Sequence, residues 1–427
     1  MKSIKVHINN LGLIRNADIE IKQLMLFSGY SGLGKSYVAI LCNYFYWVWM
    51  RPNRLDPFFR HIQEINGISF SNSDGSKREF SVKKIEIEKW LAEDSISYLK
   101  YMLEFSELSA DIKVELPIDS HSFSFLYEQE VIEMGNNTEI YNKLSINLSG
   151  LSVTYRFKEL GITDESPCSL LFRYAMVTYL WGEHKNLSYS YVLPPARGMY
   201  VSEFPMFSNA KTGLYQSFVN DMQELNRAQE NSDKISPDLN KLIREVLSGD
   251  VKFDGEKYIY ITQGKRLPIS AAAASVREVG SLQQLILKRD ISKCVILLEE
   301  PESHLHPLKQ IQMADIIALM ANGGAKMLIT THSDYFFRRL NDRIRLHVLK
   351  QRDEQKYKEL CDEYHLPDIT LDPTIVSAYY LEQEEGGDVK MKPQDVSTGM
   401  PMDTFDSAND KPLDLSIKLY EMTRNIS

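Results

Sequence analysis

Strict alternation opens the chain. Ile4, Val6 and Ile8 alternate with polar neighbours, as do Ala17, Ile19 and Ile21, and Asn9-Asn10-Leu11-Gly12 between them reads as a turn. This period of two predicts paired strands over Ile4 to Ile8 and Ala17 to Ile21. A third strand, Leu24 to Ser28, delivers the chain into Gly29. The apolar run that follows, Tyr37 to Met50, falls short of the roughly 20 residues a membrane span requires and reads as a buried helix.

From Arg51 to about Lys185 the pattern turns polar and aromatic. Hairpin-like alternation, as in Lys143-Leu144-Ser145-Ile146-Asn147-Leu148, mixes there with helical stretches such as Ile85 to Leu103. A helix from about Ser169 to Trp181 leads to a strand, Ser188 to Leu193, which Pro194-Pro195 ends. Residues 211–247 read as helical with a polar break at Gln229 to Lys234, and residues 251–263 as a hairpin around Asp254-Gly255, with another helix after Ala272. Strand Cys294 to Leu298, helix Pro307 to Ala321 with Gly323-Gly324 as its stop, and strand Lys326 to Thr330 form a βαβ-type succession. The expected organisation is therefore an α/β core in two parts, residues 1–50 and 191–345, around an inserted α+β lobe at 51–190, with a C-terminal α+β extension at 346–427. There is no internal repeat and no sustained heptad pattern, so no long coiled-coil arm is expected.

Composition adds exclusions. With 43% hydrophobic, 25% charged and 11% aromatic residues the chain can bury a large core. A net charge of −9 argues against coating nucleic acid by bulk electrostatics and leaves room for a local basic groove. Cys42, Cys168, Cys294 and Cys361 lie far apart with no C-x-x-C spacing, so neither a zinc site nor a disulfide framework follows. The strand-like opening is not a signal segment, and a cytoplasmic location without membrane attachment is expected.

Three segments carry chemistry. Gly29-Tyr30-Ser31-Gly32-Leu33-Gly34-Lys35-Ser36 is a complete G-x-x-x-x-G-K-[ST] loop between a predicted strand and a predicted helix. Its glycines let backbone N–H groups turn inward around phosphates, Lys35 reaches the β- and γ-phosphates, and Ser36 binds Mg²⁺. Gly29, Ser31, Gly32, Gly34, Lys35, Ser36 and the adjoining Tyr37 are thus the candidate ATP-binding residues. The second segment is the strand Val295 to Leu298 running into Glu299-Glu300-Pro301-Glu302. Carboxylates at a strand's carboxyl end face the ligand crevice, so Glu299 becomes the candidate metal ligand beside Ser36 and Glu300 the candidate that orients or deprotonates water. Glu302 is expected to stand behind them, and His304 and His306, an i, i+2 pair without further ligands, are not read as a metal site. The third is Thr331-His332-Ser333-Asp334 after the strand Lys326 to Thr330, where His332 is placed to sense a γ-phosphate.

These three pieces, in this order, resemble the ABC-type P-loop ATPases of the SMC, RecF and OLD families. There a loop like 29–36, an "EP-E-x-H-L-H-P" segment like 300–307 and a "T-H-S" switch like 331–333 recur. The resemblance covers the opening 50 residues and roughly 260–340. It implies an ATPase head with antiparallel N-terminal strands and a mostly parallel core sheet, and catalytic roles for Lys35, Glu300 and His332. It also implies head-to-head dimers in which a signature segment of one copy completes the phosphate site of the other. Here that segment is Ser270 to Gly280, with Ser275 the candidate phosphate contact; the Ser-Gly core of the family aligns with Ala274-Ser275 or Ser275-Val276, and no glycine stands there. Glu299 replaces the usual Asp. Both departures suggest slow hydrolysis or an ATP-gated switch. Leu193-Pro194-Pro195-Ala196-Arg197 resembles the "P-x-R" element of these families, so that Arg197 either couples nucleotide to the lobe or makes a core salt bridge.

The residues after His332 hold no Toprim-type D-x-D pair and no HNH or C-x-x-C nuclease signature. Short heads of this kind look similar to the ATPase subunits of bacterial anti-phage systems, the Septu type in particular, where an ATPase works with a separate HNH nuclease. The functional expectation is a slow ATPase that self-associates through its heads and controls such a partner. Alternatives are a non-hydrolysing scaffold stabilised by ATP, and a RecF-like DNA repair ATPase.

Overall fold

The structure is a computed structural model that describes residues 2–68, 77–134, 137–158, 165–182, 187–202, 213–230, 235–400 and 418. Alternation at the start produces β1 (Lys5–Leu11) and β2 (Ile14–Glu20), paired antiparallel with Ile8 opposite Ala17 and Leu11 opposite Ile14. The turn falls at Gly12-Leu13, later than the Asn9 to Gly12 reading. Strand β1 continues through Asn9 and Asn10 because a third strand holds its other edge, and the Asn9 amide donates to Asp111 at 2.8 Å. Strand β3 (Leu24–Gly29) runs into helix α1 (Lys35–Met50). The helix is apolar on nearly every side because it lies between the sheet and a second layer, with Tyr46 against Trp181 and Trp49 against Phe172.

The segment read as a lobe forms α2 (Asp56–Ile65), β4 (Arg78–Lys83), α3 (Lys84–Met102), β5 (Ala110–Glu115), β6 (Ser122–Met134), β7 (Asn137–Leu148), β8 (Leu151–Phe157) and α4 (Pro167–Trp181). Strands β4, β6, β7 and β8 make an antiparallel sheet of their own, whereas β5 pairs with β1 and belongs to the main sheet. Apolar residues from β1 to β3, α1 and α2 to α4 share one continuous core, so this segment is joined to the head along a face.

The chain then makes β9 (Tyr189–Leu193), α5 (Arg197–Ser202), α6 (Gly213–Arg227), α7 (Pro237–Leu247), β10 (Asp250–Phe253), β11 (Tyr258–Thr262), β12 (Lys265–Pro268) and α8 (Ala274–Lys288). The hairpin expected at 251–263 is β10 and β11, extended by β12 into a small sheet. Part of the expected helical break, residues 231–234, lies outside the described residues. The βαβ succession is β13 (Cys294–Glu299), α9 (Pro307–Asn322) and β14 (Lys326–Thr330), followed by α10 (Asp334–Arg352), α11 (Glu354–Glu363), β15 (Val376–Gln383) and β16 (Val389–Gln394).

Among the described residues nine strands form one sheet in the order β5-β1-β2-β16-β15-β3-β14-β13-β9. It is parallel from β15 to β9 and antiparallel around β1, the α/β class with the antiparallel opening strands and mostly parallel core expected from sequence. Of the expected extension at 346–427, residues 401–417 and 419–427 lie outside the described residues; within 346–400, β15 and β16 sit inside the main sheet and β15 borders β3 directly. Period two decides the layers. Met25 and Phe27 face the core around α1, while Leu24 and Leu26 face a second core built with α6 to α10. Among the described residues no helix is long and apolar enough to cross a membrane.

Candidate active site

Strands β3, β14 and β13 are parallel neighbours in register, with Phe27 opposite Thr330 and Thr330 opposite Glu299. The three sequence segments therefore leave the sheet at one edge, the carboxyl ends of adjacent strands, where open α/β sheets hold their ligands. Gly29 has φ +127°, and a Cβ on it would meet the Leu381 carbonyl oxygen of β15 at 2.2 Å, so only glycine fits between the loop and that strand. Gly34, at φ +92°, is the N-cap of α1 and aims the first turn of the helix at the loop.

Lys35 is 6% exposed. Its ammonium donates to the carbonyls of Gly29 at 3.0 Å and Tyr30 at 2.7 Å, closing the loop on itself. Burial pulls its pKa down to about 8, against the opposing pull of Glu300, Glu302 and Glu299. The next residue, Ser36, donates its hydroxyl to Glu299 Oε2. Glu299 is 2% exposed, its carboxyl is pushed up by burial against the Ser36 hydrogen bond, and its Oε1 has no partner among the described residues. The extra methylene of Glu299 relative to Asp does not carry the carboxylate away from Ser36. Tyr37 sits with its ring edge against Gly12 in the β1–β2 turn.

Glu300 leaves the strand in the left-handed region at φ +46°, a conformation uncommon for a side chain of this size. Its backbone N–H donates to Thr330 O at 3.0 Å, its Oε2 accepts from Ser303 Oγ at 3.0 Å, and its Oε1 lies 3.8 Å from His332 Nε2. The His332 imidazole is held below the ordinary histidine value, first by burial and then by Lys35, with Glu300 and the Gly29 backbone opposing. This favours the neutral ring, which carries one N–H to donate.

Sequence reasoning set Glu302 behind the others, and the structure gives it a definite task. Its Oε1 accepts from Thr331 Oγ1 at 2.8 Å, His332 N at 2.7 Å and Ser333 N at 3.1 Å, which stitches the loop after β13 to the loop after β14. Nothing in residue type separates Glu302 from Glu300; the backbone kink at Glu300 sends one carboxylate outward and the other in. Exposed His306 caps α9 by accepting Leu308 N at 3.3 Å.

Arg197 is 1% exposed and donates to Glu278 O at 2.9 Å, Glu299 O at 2.9 Å and Pro194 O at 3.0 Å. Its Nε is 3.8 Å from Glu278 Oε2, and Glu278 Oε1 accepts Gly198 N at 3.1 Å. Arg197 thus ties the end of β9 to α8 and to the end of β13, a core ion pair and a link to the carboxylate strand together, directed at α8 instead of the 51–190 segment. Ser275 stands half-buried in the first turn of α8. Among the described residues it makes no hydrogen bond to the 29–36 loop, Glu299, Glu300 or His332, so Ser275 is the candidate that one copy of the chain does not tie to the others, while Tyr37 adjoins the loop in the first turn of α1 with its ring against Gly12.

Residues 205–337 match the family model described as an AAA ATPase domain. That range holds Ser275, Glu299, Glu300 and His332 and leaves out the 29–36 loop. No curated protein matches. Similar solved structures include an Smc head bound to the C-winged helix domain of ScpA, at 10% identity and TM-score 0.36, covering 92% of this chain and 96% of that one. The SMC head domain from Thermotoga maritima has 11% identity and TM-score 0.33, covering 92% and 100%. A third is the Smc head domain with an extended coiled coil, bound to the C-terminal domain of ScpA derived from Pyrococcus furiosus, at 10% identity and TM-score 0.37, covering 99% and 100%.

Proposed function

We propose that this chain binds ATP with Mg²⁺ on the 29–36 loop and hydrolyses it slowly, in a site that a second copy completes. The observation that carries this reading is the convergence of Ser36 on Glu299 beside Lys35, Glu300 and His332 at the ends of three adjacent parallel strands. Lys35 exchanges the Gly29 and Tyr30 carbonyls for β- and γ-phosphate oxygens. The Ser36 hydroxyl and the unpartnered Glu299 oxygen are hard donors of the kind Mg²⁺ takes. Bound there, Mg²⁺ neutralises charge on the phosphate oxygens. Glu300 orients the attacking water and accepts its proton, and neutral His332 donates to the γ-phosphate.

Two features favour self-association across this edge. Tyr30, Met199, Leu308 and Tyr335, 65%, 52%, 66% and 51% exposed, each follow a strand of the parallel part of the sheet in the chain, apolar side chains that a protein surface could cover. Helix α8 starts without a side-chain cap behind exposed Ser270, Ala271 and Ala273; Val276 N and Arg277 N donate to Ala273 O, which leaves the Ala274 and Ser275 N–H groups and the Ser275 hydroxyl to meet a second copy's phosphates. Control of a separate HNH-type nuclease in anti-phage defence is the finer part of the proposal and rests on the sequence resemblance. A non-hydrolysing scaffold is the second reading, favoured by the lack of glycine before Gly280 in the 270–280 segment.

Equilibrium binding of a fluorescent ATP analogue, with light scattering for mass, tests the reading. The native chain binds when Mg²⁺ is present and doubles its mass, and Lys35→Ala and Ser36→Ala bind weakly and stay single. Native-like binding by Lys35→Ala contradicts it.

A further inference from the structure

We propose that Glu302 is a positioning residue that fixes the Thr331-His332-Ser333 turn so that the His332 ring faces Glu300 and the phosphate loop. The inference rests on the ATP reading for its consequence and on geometry for its substance. One carboxylate oxygen accepts three donors, Thr331 Oγ1, His332 N and Ser333 N, at 2.8, 2.7 and 3.1 Å. Two of them are consecutive backbone amides on either side of the His332 Cα, so the grip holds the residue whatever its ring does. A second clasp lies alongside, where Ser333 Oγ donates to Gln310 Oε1 and Gln310 Nε2 donates to Leu305 O at 2.9 Å.

Space-filling does not account for an acid here. Glu302 is 7% exposed, its Oε2 has no partner among the described residues, and burial pushes its carboxyl up. An apolar side chain of the same size would avoid that desolvation cost but would leave the His332 amide and the Thr331 hydroxyl unpaired, and the Ser333 amide with Thr331 Oγ1 at 3.1 Å in place of two acceptors. A single acceptor reaching from the loop after β13 to the turn after β14 makes the sensor and the water-orienting Glu300 move as one unit. A γ-phosphate that engages His332 then acts on the Glu300 loop through Glu302.

Three variants separate positioning from general stabilisation. Glu302→Gln keeps an oxygen where Oε1 sits, Glu302→Asp draws it back by one methylene, and Glu302→Ala removes it. Two readouts apply to each: the ratio of ADP to ATP dissociation constants, and the His332 ring signal in nucleotide-free protein by NMR, assigned through its loss in His332→Ala. We expect Glu302→Ala and Glu302→Asp to displace the ring signal and to cut the preference for ATP about tenfold, the scale of one hydrogen bond to a charged group. Glu302→Gln does neither, and in a His332→Ala background Glu302→Ala lowers the preference no further.

An unmoved His332 signal in Glu302→Ala overturns the proposal. So does a Glu302→Gln protein as displaced as Glu302→Ala, since charge and not the acceptor would then matter. If Glu302→Ala fails to fold, Glu302→Asp against Glu302→Gln decides the same point. A native chain that binds no ATP defeats the nucleotide reading alone, because the ring signal still reports whether Glu302 holds the turn.

Discussion

Arg197→Met is expected to loosen the junction between α8 and the carboxylate strand at a large cost in stability. Methionine keeps much of the arginine's length and none of its donors. The Glu278, Glu299 and Pro194 carbonyls each lose a charge-assisted hydrogen bond, and the Glu278 carboxylate, 4% exposed, loses its cation. Breaking a buried pair by removing one partner costs about 3–5 kcal/mol, because the remaining charge stays desolvated. Against a total stability of about 5–15 kcal/mol this is a substantial fraction. With a urea slope of about 3 kcal/mol per molar, the midpoint falls by on the order of 1 M. The assay is urea unfolding followed by tryptophan fluorescence. Arg197→Met combined with Glu278→Leu should recover part of the loss, since no unpaired charge then stays buried, while the three carbonyls and Gly198 N remain without these partners. A single variant that unfolds at the native midpoint, or a double variant no better than the single, would refute the reasoning.

Other expectations follow from the same site. Gly29→Ala places a methyl 2.2 Å from the Leu381 carbonyl at φ +127°, which should cost about 2–4 kcal/mol, measured as a lower melting temperature, and abolish ATP binding. Lys35→Met should melt higher than the native chain without nucleotide at pH 7, where the fold bears a buried ammonium. With a folded pKa of about 8 against 10.5 unfolded, the native fold releases its proton above pH 8 while the unfolded chain keeps it, so native stability rises relative to Lys35→Met between those values. Calorimetry across pH 7 to 10.5 checks the sign. Glu299→Gln should weaken Mg²⁺-dependent ATP binding by about tenfold and leave metal-free binding little changed, by titration with and without chelator.

Much of the site was legible because its chemistry is local. A glycine loop between strand and helix, carboxylates ending a buried strand and a histidine ending the next one are each readable from a few consecutive residues, and parallel pairing of β3, β14 and β13 then brings them together. What stayed hidden is set by pairing across distance. Alternation in Ala110 to Glu115 looks like any lobe strand, and only its register with β1 places it in the head. The apolar run Val376 to Leu381 carries a strand signal, yet nothing in it announces β3 as its neighbour, so the contact that demands glycine at position 29 was not foreseeable. The β1–β2 turn moved to Gly12-Leu13 because Asn9 found a partner about a hundred residues away. Glu300 and Glu302 are alike in type, and the left-handed backbone at Glu300 assigns them opposite surroundings.

Phosphate release from ATP by the purified chain, beside Lys35→Ala and Glu300→Gln at equal concentration, tests the central claim most directly. The account predicts slow turnover by the native chain, none by Lys35→Ala because nucleotide no longer binds, and loss of turnover with ATP still bound by Glu300→Gln. Turnover that survives in Glu300→Gln, or a native chain that binds ATP and never releases phosphate, contradicts hydrolysis at this site and leaves ATP as a structural ligand.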